Sequence, residues 1–196
     1  MGKPKIALCF PDGTPFIVKM VQMLTQAKCD PIMLCLPDNA SGPAFQKLLE
    51  PYPVELFLNQ KPEYQQIGSI LSCLERCSDE LPRLLIWPID TPFASPMLIK
   101  QLLNVSEQNA QIGVLAPQYK DQTGHPILLH HCFFHHLNEL GAAGGIRALR
   151  HRKPKYFSSL KHDSPDVLYN INSPSDYHAV FQQAPIFLPL SPYFVS

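Results

Sequence analysis

Short apolar runs alternate along this chain with stretches of helical periodicity, and proline or a polar turn closes almost every run. Ile6 to Phe10 is apolar and is turned by Pro11-Asp12-Gly13-Thr14. Pro15 suits the first turn of a helix, and Phe16, Met20, Met23, Leu24 and Ala27 carry the helical period to about Ala27. Pro31 to Leu36 is a continuous apolar run ended by Pro-Asp-Asn, the pattern of a buried parallel strand. A helix from Pro43 to Glu50, a strand from Val54 to Leu58, a helix from Tyr64 to Cys77 and a strand from Leu81 to Ile89 follow. Ser95-Pro96 caps and starts a helix to about Leu103. Strands at Ile112 to Ala116 and Pro126 to Leu129 flank a polar turn. Helical stretches at His131 to Leu140 and Gly145 to His151 lead to a late strand, Val167 to Ile171. Ser173-Pro174 opens a last helix, and an irregular tail starts at Ala184. Strands separated by helices pair through helical crossovers. The expectation is therefore α/β: a Rossmann-like, three-layer α/β/α architecture with a mostly parallel sheet, in one domain over residues 1–196. Ligands of such sheets bind beyond the carboxyl ends of the strands, which is where chemistry is sought.

Composition narrows the partners. The 16 Lys and Arg balance 16 Asp and Glu, which argues against a nucleic-acid or membrane-surface footprint. No run approaches the ~18 apolar residues of a membrane span, and no signal peptide is recognisable at the N-terminus. The six cysteines sit in apolar segments and read as reduced, cytoplasmic thiols.

Three constellations stand at element ends. In Leu84-Leu85-Ile86-Trp87-Pro88-Ile89-Asp90-Thr91-Pro92-Phe93, a buried strand delivers one carboxylate, Asp90, at its C-terminal edge. Such a carboxylate is a natural Mg²⁺ anchor, because Mg²⁺ takes one or two carboxylates plus substrate phosphates; the alternative is an Asp that caps the following helix. In Gln122-Thr123-Gly124-His125-Pro126, Gly124 permits close backbone approach. In Asn170-Ile171-Asn172-Ser173-Pro174-Ser175-Asp176-Tyr177, Ser173, Pro174 and Asp176 make a helix start. The helix start leaves the two asparagines at i, i+2 unexplained. His131 with His135 and Cys132 with His136 have i, i+4 spacing, and a solvated helix face accounts for them. The basic run Arg150, Arg152, Lys153 and Lys155 reads as solvated surface, with an anionic acceptor as its alternative use.

These blocks resemble a family. Ile89-Asp90-Thr91-Pro92-Phe93 with Ser95-Pro96 and Leu98-Ile99 is similar to the D-x-P-F-x-(S/P)-P-x-L-I segment of the MobA-like nucleotidyltransferases. Gly124-His125-Pro126, then Gly144-Gly145-Ile146-Arg147-Ala148-Leu149, resembles the G-H-P … G-D-G-G-A-R-x-L of the molybdenum cofactor cytidylyltransferase branch. Asn172-Ser173-Pro174-Ser175-Asp176-Tyr177 resembles its (D/N)-T-P-E-D-Y, and Lys61-Pro62-Glu63-Tyr64 with Gly68-Ser69 its N-P-x-Y … G-x-S-S-L. Met1-Gly2-Lys3-Pro4-Lys5 matches only the last five positions of the family's opening loop, L-A-A-G-x-S-x-R-M-G-x-P-K. A first strand and a phosphate-cradling glycine-rich loop are thus missing ahead of Met1. Either the native polypeptide starts upstream, or this is a shortened member without the loop. The expectation is the first, because the sheet wants a central strand.

The resemblance implies a fold of the nucleotide-diphospho-sugar transferase type and a nucleotidyl transfer. The terminal phosphate of an acceptor attacks the α-phosphate of CTP or GTP, CMP or GMP is transferred, and pyrophosphate leaves. It implies Lys5 and Asp90 as the catalytic pair, with Gly2, Lys5 and Asp90 binding the nucleotide and Asp90 and Asn172 binding Mg²⁺. Gly68, Ser69, Gly124 and His125 would line the acceptor side. The family's Gly-Asp-Gly-Gly stretch is here Gly141-Ala142-Ala143-Gly144-Gly145, without the acid. The implied acceptor is molybdopterin or another phosphorylated small molecule, and the implied protein partner a molybdoenzyme or its chaperone. The rival reading is a degenerate member that binds a nucleotide or cofactor without turnover.

Overall fold

The computed structural model describes residues 5–36, 43–77, 81–137, 139 and 145–189. A short 3₁₀ turn, Lys5–Ala7, leads into β1, Leu8–Cys9. Pro15 then sits in extended backbone, and α1 follows as Phe16–Gln26, burying Phe16, Ile17, Val18, Met20 and Val21 on one face. Next come β2, Ile32–Leu36, α2, Pro43–Leu49, and β3, Val54–Leu58. Helix α3 spans Gln65–Leu74, and β4 spans Arg83–Ile86. In α4, Pro96–Gln108, the Ser95 hydroxyl accepts from the Leu98 amide at 3.1 Å and Pro96 opens the first turn, as the sequence predicted. This helix runs past Leu103, where Val105 packs against the core and Ser106 is buried.

Strands β5, Val114–Tyr119, β6, Gln122–Thr123, and β7, Ile127–His130, fold back on one another through the turn at Lys120, whose φ is 52°. Helices α5, Phe134–Leu137, and α6, Ile146–Arg152, precede β8, Phe157–Lys161. Helix α7, Pro174–Phe181, and β9, Ile186–Phe187, complete the order.

Alternation along the central strands builds three layers. Val114 and Ala116 of β5 and Ile127 and Leu129 of β7 pack beneath α3 and α6, against Ile67, Ile70 and Ile146. Leu115 and Leu128, one residue out of phase, pack on the other face against Leu98, Ile99 and Leu102 of α4. Helices therefore cover both faces, as expected. The sheet itself is mixed rather than mostly parallel. The order is β4-β7-β5, with β6 and β8 also on β5. β7 is antiparallel to both β4 and β5, and β8 is parallel to β5. β2 and β3 form a separate parallel pair, and β1 pairs antiparallel with β9. The β5–β6–β7 reversal brings in the antiparallel contacts, because a tight turn can join only antiparallel strands.

Three local expectations are corrected. The late strand at Val167 to Ile171 is a 3₁₀ turn, Pro165–Leu168, followed by extended chain, since Ser164 caps the turn and Pro165 opens it. β8 was not foreseen, and the supposed irregular tail contains β9, whose Leu188 amide donates to the Ala7 carbonyl at 2.8 Å. The stretch at His131 begins as a 3₁₀ turn, His131–Phe133, that runs directly into α5, so its i, i+4 spacings do not lie on one α-helix. His136 is buried rather than solvated, and its Nδ1 meets Glu139 Oε1 at 2.7 Å.

Candidate functional site

Asp90 stands in the turn after β4. The Trp87 indole N–H donates to the Thr91 carbonyl at 2.7 Å, and the Thr91 amide and hydroxyl both donate to the Pro88 carbonyl, at 3.1 and 3.0 Å. The Ile171 amide then donates to the Asp90 carbonyl at 2.8 Å. The backbone of Asp90 is thus held from both sides. Ser95 caps the following helix, which decides against the capping reading of Asp90.

The extended chain after Leu168 brings Asn172 to the same place. Asp176 Oδ2 accepts from the Asn172 and Ser173 amides at 3.0 and 2.8 Å, while Ser173 Oγ accepts from the Asp176 amide at 3.2 Å. This reciprocal cap fixes the residue before the helix. The bond from the Ser173 side chain, helped by the two amides, holds the Asp176 carboxyl below its ordinary range.

Lys5 joins the two. Its Nζ lies 3.0 Å from Asp90 Oδ2 and also donates to Asn172 Oδ1, although the partners are 85 and 167 positions away. The Lys5 side chain is 38% and that of Asp90 19% exposed, so the cluster opens to solvent. A carboxylate oxygen and an amide oxygen converge on one ammonium. Among the described residues no group of three or more His, Cys, Asp or Glu forms a metal site. One carboxylate and one amide oxygen is a donor set that suits Mg²⁺ carried mainly by its ligand's phosphates.

Gly2 lies outside the described residues, as does Gly141-Ala142-Ala143-Gly144. The two acceptor-side glycines sit at backbone crossings. A Cβ on Gly68 would fall 2.0 Å from the Lys61 carbonyl oxygen, and one on Gly124 2.0 Å from that of Val167. Ser69 and Asp90 line one cleft between β2 and β4. The His125 amide donates to the Val167 carbonyl at 3.0 Å, and Ile171 holds Asp90. Four residues of chain, spanning at most about 14 Å, therefore run from Val167, which the Gly124–His125 bend contacts, to Ile171, which holds Asp90.

The basic run is partly engaged. Arg150 donates to Thr123 Oγ1 at 2.8 Å, and Lys153 Nζ lies 3.4 Å from Glu139 Oε2. Met33 Sδ lies 3.4 Å from Cys73 Sγ and 3.6 Å from Cys77 Sγ. Burial, with the neighbouring Cys77, pushes the Cys73 thiol up to about 12, so it stays protonated. Sequence reading missed the positioning groups Trp87 and Ile171. The Trp-Pro that precedes Asp90 was their only signal.

The model of the MobA-like NTP transferase domain matches residues 1–157. No curated protein matches the chain. Among solved structures, Rv0371c from Mycobacterium tuberculosis H37Rv is 20% identical at a TM-score of 0.77, covering 94% of this chain and 92% of its own. Its complex with manganese gives 21% identity and a TM-score of 0.74 over 93% and 94%. The molybdopterin-guanine dinucleotide biosynthesis protein A from Archaeoglobus fulgidus gives 17% and 0.62, over 92% and 89%. At these identities the likeness shows the fold alone: the nucleotidyltransferase fold.

Proposed function

The chain belongs to the MobA-like NTP transferase domain family, and on that premise we propose that it transfers a nucleotidyl group from CTP or GTP to a phosphorylated small-molecule acceptor, releasing pyrophosphate. The observation that carries this reading is the single Lys5 ammonium held between Asp90 and Asn172. Mg²⁺ arriving with the triphosphate would be held by Asp90 and Asn172, and it would neutralise phosphate charge there. The Lys5 ammonium, beside those oxygens, would stabilise the charge that develops on the α-phosphate. The chain needs no general base of its own, because the acceptor's phosphate oxygen is already anionic and catalysis is positioning plus electrostatics. Trp87, Thr91 and Ile171 keep Asp90 in place, and the Ser173–Asp176 cap does so for Asn172.

Molybdopterin is the proposed acceptor, bound on the side of Gly68, Ser69, Gly124 and His125. The manganese complex of Rv0371c and the molybdopterin-guanine dinucleotide protein of A. fulgidus support a divalent cation and a pterin, respectively. A molybdoenzyme or its chaperone would then receive the product. Six free thiols accord with a cytoplasmic setting.

Asp90→Asn tests the metal role. Mg²⁺-dependent binding of CTP and GTP is expected to disappear in calorimetry, and unchanged affinity would sink the assignment. Pyrophosphate release measured with molybdopterin, and separately with sugar and alcohol phosphates, identifies the acceptor. Tight nucleotide binding without release for any acceptor would favour the non-catalytic binder.

A further inference from the structure

Four sulfur side chains line the cleft between β2 and β4: Met33 and Cys35 of β2, Cys73 of α3, and Cys77 of the turn after it. Their grouping follows from the periods of the two elements. Met33 and Cys35, at i, i+2, share a face of the strand, and Cys73 and Cys77, at i, i+4, share a face of the helical course. Cys77 keeps that place because its amide donates to the Cys73 and Leu74 carbonyls, both at 3.2 Å. Three of the sulfurs converge. The Cys73 thiol donates to Met33 Sδ at 3.4 Å, and the Cys77 thiol donates to the same atom at 3.6 Å. Thiols are weak donors and a thioether is a weak acceptor. Leucine would fill these positions as well, so packing alone gives no reason for two S–H groups to aim at one sulfur. All three side chains are half-buried, held by protein yet open to the cleft.

The donor set selects the ion it can hold. Among the described residues no three His, Cys, Asp or Glu side chains converge, so the four-ligand set of a structural Zn²⁺ site is not assembled from them. Glu55, the strand partner of Met33, is exposed and acts on Cys73 only through space. The Cys35 thiol is engaged by the Ser69 side chain. What remains is two thiols and a thioether, the soft ligands that suit Cu(I). At a metal–sulfur distance of about 2.3 Å, the two sulfur pairs subtend about 95° and about 103° at a shared ion. Small rotations of the flexible Met33 side chain widen both angles.

We infer that Met33, Cys73 and Cys77 form a site for one Cu(I) ion. The ion takes the place of the two S–H protons, forms one bond to each thiolate sulfur, and accepts a lone pair from Met33 Sδ. Both protons go to solvent, no electron moves, and the assembled site carries one negative charge. Burial pushes the Cys73 thiol up, so at neutral pH the ion must displace a proton there rather than meet a thiolate. Arg76 supplies a nearby positive charge: its guanidinium lies 5.2 Å from the centre of the Phe57 ring, and Phe57 is the strand partner of Cys35. The site uses no residue of the Lys5 cluster, so it stands or falls apart from the proposed nucleotidyl transfer.

The test needs no nucleotide. Cu(I) is titrated anaerobically into the 196-residue chain from its coloured bicinchoninate complex. One ion per chain is expected, with the ultraviolet absorption of a copper–thiolate bond. Losing even an outer partner of a metal ligand costs about 10–100-fold in affinity, so Cys73→Ser and Cys77→Ser should each weaken binding by about hundredfold or more. Met33→Leu keeps the apolar volume and should weaken it about tenfold. Cys132→Ser, which removes a thiol elsewhere, should leave it unchanged. Unaltered affinity in Met33→Leu or in either of the first two cysteine variants would overturn the site. So would loss of the ion in Cys132→Ser, or Zn²⁺ bound as tightly as Cu(I) through the same two thiols. The unaltered chain gives a check that does not depend on a variant folding. Between about pH 6 and 7, where free thiols are protonated, release of two protons makes the affinity rise about hundredfold per pH unit, after correction for the chelator. A rise of about tenfold or less, the mark of one proton or none, would overturn the two-thiol site.

Discussion

Removing the Lys5 ammonium is expected to have opposite effects on metal binding and on turnover. In the nucleotide-free protein, Lys5 Nζ lies 3.0 Å from Asp90 Oδ2 and also bonds Asn172 Oδ1, so a divalent ion must displace it from both oxygens. Two unit charges at that separation attract by about 1.4 kcal/mol in a water-like dielectric. The two side chains are 38% and 19% exposed, so screening and side-chain entropy reduce this to about 1 kcal/mol. Lys5→Met keeps the length of the side chain and removes the competitor. Mn²⁺ alone, titrated by calorimetry or by its free-ion paramagnetic signal, is then expected to bind about fivefold more tightly. The same variant loses about 10²-fold in pyrophosphate release, because the charge on the transferring phosphoryl group loses its donor. Mn²⁺ affinity unchanged or weakened by Lys5→Met would refute the reasoning, since Asp90 and Asn172 would then not be the oxygens for which ion and ammonium compete. The Asp90→Asn Lys5→Met double variant supplies the control: the gain from Lys5→Met should vanish with the carboxylate.

Two further outcomes rest on packing and on the helix cap. Gly124→Ala places a Cβ 2.0 Å from the Val167 carbonyl oxygen, where backbone must move, and about 1–3 kcal/mol of stability is expected to be lost in denaturant unfolding. Bonds from Ser173 hold the Asp176 carboxyl below its ordinary value, and bonds from Thr14 do the same for Asp12. A depressed carboxyl contributes stability above its unfolded pKa and loses it as pH falls through the folded one, so these two groups add a fall in Tm below about pH 4. Asp176→Asn should make that acid limb shallower, and an unchanged limb would contradict the role given to the cap.

The sequence was most legible where one residue type has one physical use. Ser95-Pro96 and Ser173-Pro174 open helices in the structure, because a side-chain acceptor followed by a residue without an N–H has few other places to go. Val54–Leu58 is a strand with the predicted ends. Phe157–Lys161 escaped notice because its burial is weak and two serines interrupt it, and it becomes a strand only by lying along β5. Val167–Ile171 looks like a strand by composition, yet Ser164 and Pro165 impose a 3₁₀ turn ahead of it. At the site, Asp90 and Asn172 each stood out locally as a polar residue at an element end. Their convergence on Lys5 depends on the Ile171–Asp90 backbone bond and on the path of the chain after Leu168, neither of which has a local signature. The cleft between β2 and β4 is likewise a property of strand order.

The pairing of β1 with β9 sets a timetable for synthesis. Leu8 and Cys9 are almost fully buried in the finished protein, and their strand partners are Phe187 and Ile186. Asn172, which completes the Lys5 cluster, is 167 residues later than Lys5. At ordinary elongation rates of ~5–20 residues per second, β1 is made roughly 9–36 s before its strand partner β9. During that interval Leu8 and Phe16 remain without Ile171, Tyr177, Phe181 and Phe187, the late residues that pack against them. Chaperones that bind nascent apolar segments would find their target at this end of the chain, and the cation cluster is among the last features to close.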